Sequence, residues 1–190
     1  MRAVRDGDIS KLGLLFERHH EPLFDFLCRT TGDRTGAEDL VQDVFIRMLK
    51  YRRTYRDDGR FETWMFHIAR NARLDHFKKR RRTEARLPDD GIEVPATDPG
   101  ADEQLESSEQ LAQLRRALMQ LPDDKRELLV LARYRGMKYD QIAATLRVDA
   151  GTVRVRVHRA ISELRTLVRR LSGEDRTCDV KKSETSLRIV

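Results

Sequence analysis

The feature that most limits the fold of this chain is an acidic stretch between two segments of helical periodicity. Residues 86–110 contain eight acidic residues and one basic residue, together with Pro88, Pro95 and Pro99. A stretch so rich in charge and in helix-breaking residues buries too little apolar surface to fold alone. We therefore predict a flexible acidic linker over 86–107. The alternative is a long surface loop within one domain, although structureless loops of about 20 residues are unusual there.

Charge divides the chain at the same places. The 190 residues include 38 basic and 32 acidic ones, for a net charge of +6. Residues 1–85 have a net charge of +5 and residues 111–171 of +8, whereas residues 86–110 have a net charge of −7. Two basic segments on either side of an acidic one are compatible with a nucleic-acid partner for each basic segment.

The sequence argues against several classes of protein. It contains no apolar run of about 18 residues and no N-terminal apolar region typical of a secretory signal. Cys28 and Cys178 form no C-x-x-C pair, so we expect a reducing, cytoplasmic setting. The phosphate-binding, zinc-protease and nucleophile-elbow motifs are absent, and the adjacent His19 and His20 point to different helix faces. We therefore predict no enzyme, no cofactor and no metal site.

Apolar residues recur with helical spacing in three stretches of the N-terminal segment. The first stretch runs from Leu12 to Leu27 and contains Pro22, which we expect to kink or split the helix. The second opens at Thr35, where Thr35 and Glu38 have the spacing of a capping box. The third begins near Glu62 and ends in five consecutive basic residues at 78–82.

Aromatic residues are concentrated before and within the third stretch. They are Tyr51, Tyr55, Phe61, Trp64, Phe66 and Phe77. Basic side chains neutralise phosphates and aromatic faces stack on unpaired bases, so the mixture favours single-stranded nucleic acid. The alternative places every aromatic ring in the core, and the pattern alone does not choose between the two.

The C-terminal segment has the pattern of a helix-turn-helix. One helix stops at Pro122, which we expect to occupy the first turn of the next helix. A short helix over 139–146, a turn over 147–149 and a long helix from Ala150 to about Leu171 then follow. Asp149 has a residue type that caps helices. A generic helical hairpin is the alternative.

The start of the long helix is rich in side chains that contact DNA. We expect Thr152, Arg154, Val155, Arg156, His158 and Arg159 to be exposed there. In a helix-turn-helix these N-terminal positions reach base edges in the major groove, and arginine pairs bidentately with guanine.

Four motifs in order resemble the extracytoplasmic-function (ECF) class of sigma factors of bacterial RNA polymerase. They comprise Gly7 to His20, Ala37 to Phe45, Phe61 to His76 with its basic tail, and Leu121 through the helix-turn-helix to Ala160. The resemblance implies an all-α chain with two small helical domains, region 2 and region 4. With the linker, it sets the boundaries at 7–85 for region 2, 108–171 for region 4 and 172–190 for a tail that we expect to be disordered.

The resemblance also implies site residues in region 2. Positions matching the contact with the beta-prime coiled coil of core RNA polymerase are Asp39, Gln42, Asp43 and Phe45. The expected set for recognising and melting the minus-ten promoter element is Tyr55, Phe61, Trp64, Asn71, Asp75, His76, Lys78, Lys79, Arg80 and Arg81. A loop before the third helix matches one that captures a flipped base, and a shaped pocket offsets the cost of extruding that base.

In region 4 the resemblance implies recognition of the minus-thirty-five element. The expected contacts are Arg135, Lys138, Thr152, Arg154, Val155, Arg156, His158 and Arg159. Two residues depart from the family pattern. Arg147 stands where the turn usually has glycine, and Val155 stands where serine is common, so the promoter preference of the family does not transfer directly.

The leading hypothesis is therefore a sigma factor that binds core polymerase, at the beta-prime coiled coil and the beta flap, and directs initiation at promoter DNA. The family also implies an anti-sigma factor as a partner. The alternative is a stand-alone helix-turn-helix transcriptional regulator with an N-terminal sensor or dimerisation domain.

Overall fold

The computed structural model describes residues 1–57, 59–84 and 105–172, and these ranges contain helices and no β-strand. Residues 86–104 of the predicted linker (86–107) and the tail after residue 172 lie outside the described residues, and positions 105–107 of that linker form the start of α5. The α-helices are α1 (Arg2–Arg5), α2 (Leu12–Thr31), α3 (Arg34–Lys50), α4 (Phe61–Glu84), α5 (Leu105–Gln120), α6 (Asp123–Leu129), α7 (Tyr139–Leu146) and α8 (Ala150–Ser172). Short 3-10 turns cover Ile9–Lys11 and Arg52–Thr54, and a π-helical turn, Val130–Tyr134, extends α6. The all-α prediction is confirmed.

Helices α2, α3 and α4 form the N-terminal half. Of the two effects predicted for Pro22, a kink or a split, the split does not occur, since α2 runs through Pro22 as one helix. Proline removes one backbone hydrogen bond, but the turn after it buries Leu23, Phe26 and Leu27 completely, and this packing holds the helix together.

The start of α3 differs from the predicted capping box. The helix begins at Arg34, and its N-cap is Asp33, whose carboxylate accepts a hydrogen bond from the Gly36 backbone N–H at 2.9 Å. Asp33 follows Gly32, which ends α2 in the left-handed region (φ 74°). Aspartate is among the best N-cap residues, and this pair of residues turns the chain from α2 into α3 without a longer loop.

The C-terminal half contains the predicted helix-turn-helix, α7 and α8. Asp149 caps α8 as expected, because its Oδ1 atom accepts the Thr152 backbone N–H at 2.7 Å. Arg147 adopts the left-handed conformation (φ 56°, ψ 48°) at the position where glycine is usual. Pro122 is the N-cap of α6 rather than a residue of its first turn, since its ψ of 143° is extended. The order of elements is as predicted, and the start of α6 is shifted by one position relative to Pro122.

The two halves share one hydrophobic core, which the sequence did not predict. Side chains of α2, α3 and α4 lie in the same buried cluster as side chains of α5 to α8. Arg126 of α6 adds polar contacts. Its guanidinium donates to the backbone carbonyl of Thr30, which belongs to α2, and to those of Leu118, Met119 and Leu121 around the end of α5. The halves therefore form one packed body in the structure.

Candidate polymerase and nucleic-acid interfaces

The outer side of α3 carries three of the four residues expected to contact polymerase. Asp39 and Gln42 are exposed and Asp43 is half-buried. Phe45 lies on the inner side and is only 7% exposed, and its ring packs against Phe16 of α2 with centroids 5.0 Å apart. Phe45 therefore supports this surface from beneath, whereas the sequence had placed it among the contacts.

Two apolar side chains on this surface were missed by the sequence analysis. Ile46 is 66% exposed and Phe16 is 42% exposed, and Phe16 stacks on His20 at 4.9 Å with an interplanar angle of 7°. Positions 39, 42, 43 and 46 follow helical spacing, so Ile46 could have been found from its register with the acidic residues. Phe16 had been assigned to the apolar stripe of α2.

A groove between α2 and α3 borders the acidic residues. It has a volume of about 400 Å³ and is lined by the apolar side chains of Phe16, Phe24 and Val41 and by the polar or charged ones of His20, Arg34, Glu38 and Gln42. A groove with both apolar and charged lining beside exposed carboxylates suits a protein partner, because apolar burial supplies affinity and charge supplies orientation.

An aromatic cluster joins the segment before α4 to the first turn of α4. Tyr55 packs edge-on against Trp64 at 5.3 Å, Phe61 lies 6.3 Å from Trp64, and His19 lies 4.9 Å from Phe61. Tyr55 is only 6% exposed, whereas Phe61 and Trp64 are half-buried. Of the two alternatives, burial in the core and access to nucleic acid, the first applies to Tyr55. Phe61 and Trp64 instead keep part of their surfaces accessible.

Burial also sets the protonation of this cluster. Desolvation raises the pKa of the Tyr55 hydroxyl, with a further contribution from the carboxylate of Asp57. Desolvation lowers the pKa of the His19 imidazole, and nearby Glu62 acts in the opposite direction. Both side chains are therefore favoured in their neutral forms.

The remaining predicted minus-ten residues lie along α4. Asn71, Asp75, Lys78, Lys79 and Arg81 are exposed, and His76 and Arg80 are half-buried. Asp75 accepts a hydrogen bond from Arg47 Nη1 at 2.7 Å, and Arg47 Nε donates to Asp43 at 2.9 Å. Arg47 therefore connects a predicted polymerase contact to a predicted DNA contact; its pairing with Asp43 has i, i+4 spacing, whereas its contact with Asp75 joins two helices and has no sequence signal.

The first two turns of α8 expose the predicted minus-thirty-five side chains. Arg154, Val155, Arg156, His158 and Arg159 are exposed, and Lys138 is exposed before α7. Thr152 is half-buried, and its hydroxyl donates to Asp149 as part of the helix cap.

Arg135 is the exception among the predicted minus-thirty-five residues. It turns toward the N-terminal half, where it lies 4.0 Å from an oxygen of Asp25 and 6.0 Å from the centroid of the Phe66 ring. In this arrangement its charge is directed at α2 and α4 rather than at the surface of α8.

The chain was compared with known proteins. Residues 15–83 match the family Sigma-70 region 2, and residues 111–164 match the family Sigma-70, region 4. The RNA polymerase sigma factor CarQ of Myxococcus xanthus is 32% identical over 92% of this chain and 98% of its own length. The ECF RNA polymerase sigma factor SigE of Mycolicibacterium smegmatis is 37% identical over 84% of this chain, which spans 62% of the length of that relative.

This chain belongs to the ECF sigma factors. It is a promoter-directing initiation factor, and the stand-alone regulator is not favoured, because the N-terminal half that would serve as a sensor matches region 2. Sigma factors are transcription initiation factors and not enzymes. No helix in the described part of the chain is long and apolar enough to cross a membrane. Within the same ranges, no group of His, Cys, Asp and Glu side chains is arranged to hold a metal ion.

Two solved structures resemble the fold of this sigma factor. The sigma factor RpoE of Bartonella quintana, in complex with the anti-sigma factor NepR, is 27% identical with a TM-score of 0.70, over 83% of this chain and 96% of that one. CnrH, in complex with the cytosolic domain of CnrY, is 25% identical with a TM-score of 0.62, over 87% of this chain and 92% of that one.

Proposed function

We propose that the sigma factor divides promoter recognition between its halves. Residues 7–85 bind core polymerase and open the minus-ten element, and residues 108–171 bind the minus-thirty-five element as duplex DNA. The observation that carries this division is the distribution of exposed charge. Helix α3 exposes carboxylates, whereas the end of α4 and the start of α8 expose basic side chains on opposite sides of the linker in sequence.

The polymerase contact is assigned to the outer side of α3 and the neighbouring groove. Asp39, Gln42 and Asp43 supply polar contacts to the beta-prime coiled coil, and Phe16 and Ile46 supply apolar area. The beta flap is the expected second contact, with region 4. Asp39→Lys and Asp43→Lys should each weaken binding to core polymerase in an equilibrium titration. Glu109→Lys is a matched control, since it reverses an exposed charge on α5. Equal affinities for all three variants would refute the assignment.

The minus-ten contact is assigned to the aromatic cluster and the exposed side of α4. Phe61 and Trp64 offer ring surface to unpaired bases, Asn71 offers an amide, and the lysines and arginines at 78–81 neutralise phosphates. Tyr55 supports the rings from the core. Trp64→Ala should impair opening of a duplex promoter, as read by permanganate footprinting, and spare initiation from a premelted template, as read by run-off transcription. Equal impairment on both templates would assign Trp64 to folding alone, and thermal unfolding of the variant checks this directly.

The minus-thirty-five contact is assigned to the exposed start of α8. Arg154 and Arg159 are the bidentate base readers, and the Val155 methyl groups suit a thymine methyl. Loss of one bidentate contact costs about 1–3 kcal/mol in discrimination between bases. Run-off transcription over a promoter library should therefore show that Arg154→Ala relaxes the sequence preference at one position. An unchanged preference would remove Arg154 from the readout.

A protein regulator is the remaining proposed partner. The structural neighbours RpoE and CnrH were each solved in complex, with an anti-sigma factor and with the cytosolic domain of CnrY respectively. We assign to this chain a regulator of the same kind, acting in the cytoplasm, and no catalytic activity of its own.

A further inference from the structure

Helix α1 lies against the segment that leads into the aromatic cluster. It packs on the 3-10 turn Arg52–Thr54, and its Val4 side chain is 0% exposed. Val4 and Tyr55 are both buried, yet they lie outside the hydrophobic core that the two halves share. A helix of four residues does not persist in water by itself, so these tertiary contacts keep α1 in place. Helix α1 also precedes residues 15–83, which match Sigma-70 region 2.

Two arginines of α1 add charge interactions with the same segment. The Arg2 guanidinium forms an ion pair with the carboxylate of Asp57, two residues after Tyr55. Burial, and then Asp57, raises the pKa of the Tyr55 hydroxyl, whereas Arg2 and Arg5 lower it. Both cations therefore lie within electrostatic range of that hydroxyl. An exposed ion pair contributes little to stability by itself, so the Arg2–Asp57 pair orients α1 while the burial of Val4 anchors it.

The segment before α4 depends on support from outside. Within it, the Thr54 backbone N–H donates to the Tyr51 carbonyl at 2.8 Å. The Tyr55 N–H donates to the Arg52 carbonyl at 3.2 Å, and Tyr55 then continues in an extended conformation. Hydrogen bonds of the 3-10 type have poor geometry and seldom sustain more than a few residues. The position of the Tyr55 ring is therefore set by the side chains that pack around it.

Tyr55 transmits this support to the rings that are proposed to meet unpaired bases. It packs edge-on against Trp64 at 5.3 Å and against Phe61 at 6.2 Å, with interplanar angles of 69° and 68°. Edge-to-face contacts of this kind depend on both the distance and the angle between the rings. A displaced Tyr55 ring would therefore change the orientation of both outer rings or leave a gap behind them.

We propose that α1 is a positioning element for the minus-ten surface. Val4 and Arg2 fix the position of Tyr55, and Tyr55 keeps Trp64 and Phe61 in the orientation that receives unpaired bases. This inference rests on the proposed minus-ten contact, but the positioning itself is a property of the free chain. The alternative is that α1 only stabilises the N-terminal half and leaves the orientation of the rings unaffected.

Trp64 fluorescence tests the positioning without polymerase or DNA. Trp64 is the single tryptophan of the sequence, so its emission reports on this cluster alone. Val4→Ser removes apolar volume from a buried site and adds an unpaired hydroxyl, so α1 should detach. The Trp64 emission should then shift to longer wavelength, with stronger quenching by acrylamide. Ala3→Ser is the matched control, because Ala3 is exposed on the same helix, and the conservative Val4→Ile should stay close to the wild type.

Charge exchange tests Arg2 separately, and it serves equally if Val4→Ser does not fold. Arg2→Glu faces Asp57 with a like charge and should shift the emission in the same direction by a smaller amount. Arg2→Glu combined with Asp57→Arg restores opposite charges and should restore the wild-type emission. An exchange that leaves the emission shifted would remove Arg2 from the element. Unchanged emission in both Val4→Ser and Arg2→Glu would overturn the positioning.

Promoter opening tests the consequence. Stacking on an aromatic ring contributes about fivefold to 150-fold in affinity per base, so misaligned rings should slow opening by at least about threefold in Val4→Ser. Time-resolved permanganate footprinting of the full chain with core polymerase measures this on a duplex promoter selected by run-off transcription. The affinity of Val4→Ser for core polymerase should equal that of the wild type. A loss of affinity as large as the loss of opening would indicate a role in folding alone and overturn the proposal.

Trp64→Ala separates a failure of this inference from a failure of the proposed function. Impaired opening in Trp64→Ala with normal opening in Val4→Ser would overturn the role of α1 and leave the minus-ten contact intact. Normal opening in both variants would refute the proposed minus-ten contact, and the positioning role would fall with it.

Discussion

Replacement of Arg147 by glycine should stabilise this sigma factor. Arg147 ends α7 in the left-handed conformation, and among the described residues it is the one non-glycine residue with a positive φ. Its backbone N–H donates to the Ala143 carbonyl, as the helix end requires, so the conformation is imposed by the turn into α8. The side chain is exposed, so its loss leaves no cavity.

The expected gain follows from two opposing terms. The left-handed conformation costs an L-amino acid about 1–2 kcal/mol through contact of its Cβ atom with the backbone, and glycine removes that cost. Glycine also gives the unfolded chain more conformational freedom, which lowers the free energy of unfolding by about 0.4–1 kcal/mol. The net gain in the free energy of unfolding should be about 0.5–1 kcal/mol, or about 1–4 °C in melting temperature for a chain of this size.

Urea and thermal unfolding of three variants would separate backbone from charge. Arg147→Gly should be more stable than the wild type. Arg147→Ala keeps the Cβ atom and should gain nothing, and Arg147→Lys keeps both the Cβ atom and the charge and should match the wild type. If alanine stabilises as much as glycine, the gain comes from removal of a positive charge and the backbone argument is refuted. A loss of stability in Arg147→Gly would show that the arginine side chain makes a favourable contact.

Three further outcomes are expected. Ile142 of the helix-turn-helix is 0% exposed, so Ile142→Ala should lower the free energy of unfolding, measured by urea titration, by about 2–5 kcal/mol. The loss would be smaller if neighbouring side chains moved in to fill the cavity. Burial lowers the pKa of both His19 and His67 below about 6.5, so near that pH the folded state binds fewer protons than the unfolded state. The free energy of unfolding should therefore decrease as the pH falls below about 6.5. His19→Gln and His67→Gln should each make this decrease smaller between pH 7.5 and 5.5. Burial raises the pKa of the Cys28 thiol, so in a Cys178→Ser background iodoacetamide should alkylate the folded chain more slowly than the urea-unfolded chain, and equal rates would contradict the burial.

Local sequence signals predicted most of the helices, because each depends on neighbours in the chain. The helix-turn-helix and the Asp149 cap follow from apolar spacing and residue type, whereas Arg147 was singled out only by its departure from the family pattern. The errors were also local. Pro22 does not split α2 because the residues that follow it are buried, and Asp33 rather than Thr35 caps the start of α3.

The contacts between the halves were beyond such reasoning. Arg73 reads in the sequence as one more cation of a basic helix, and Asp123 as an acidic residue suited to a helix start. Their contact joins positions 50 residues apart, across a segment whose composition indicates separation. The burial of Tyr55 and Phe45 likewise depends on packing between elements, which helical spacing of one segment does not specify.

Arg126 contacts the N-terminal half through one hydrogen bond and the C-terminal half through three. One guanidinium satisfies carbonyls at the ends of both α2 and α5, but only the bond to Thr30 crosses between the halves. When the halves part, one carbonyl returns to water and the other three acceptors keep their donor. In a recombinant fragment starting ahead of α5, the same guanidinium should therefore still join α6 to the end of α5.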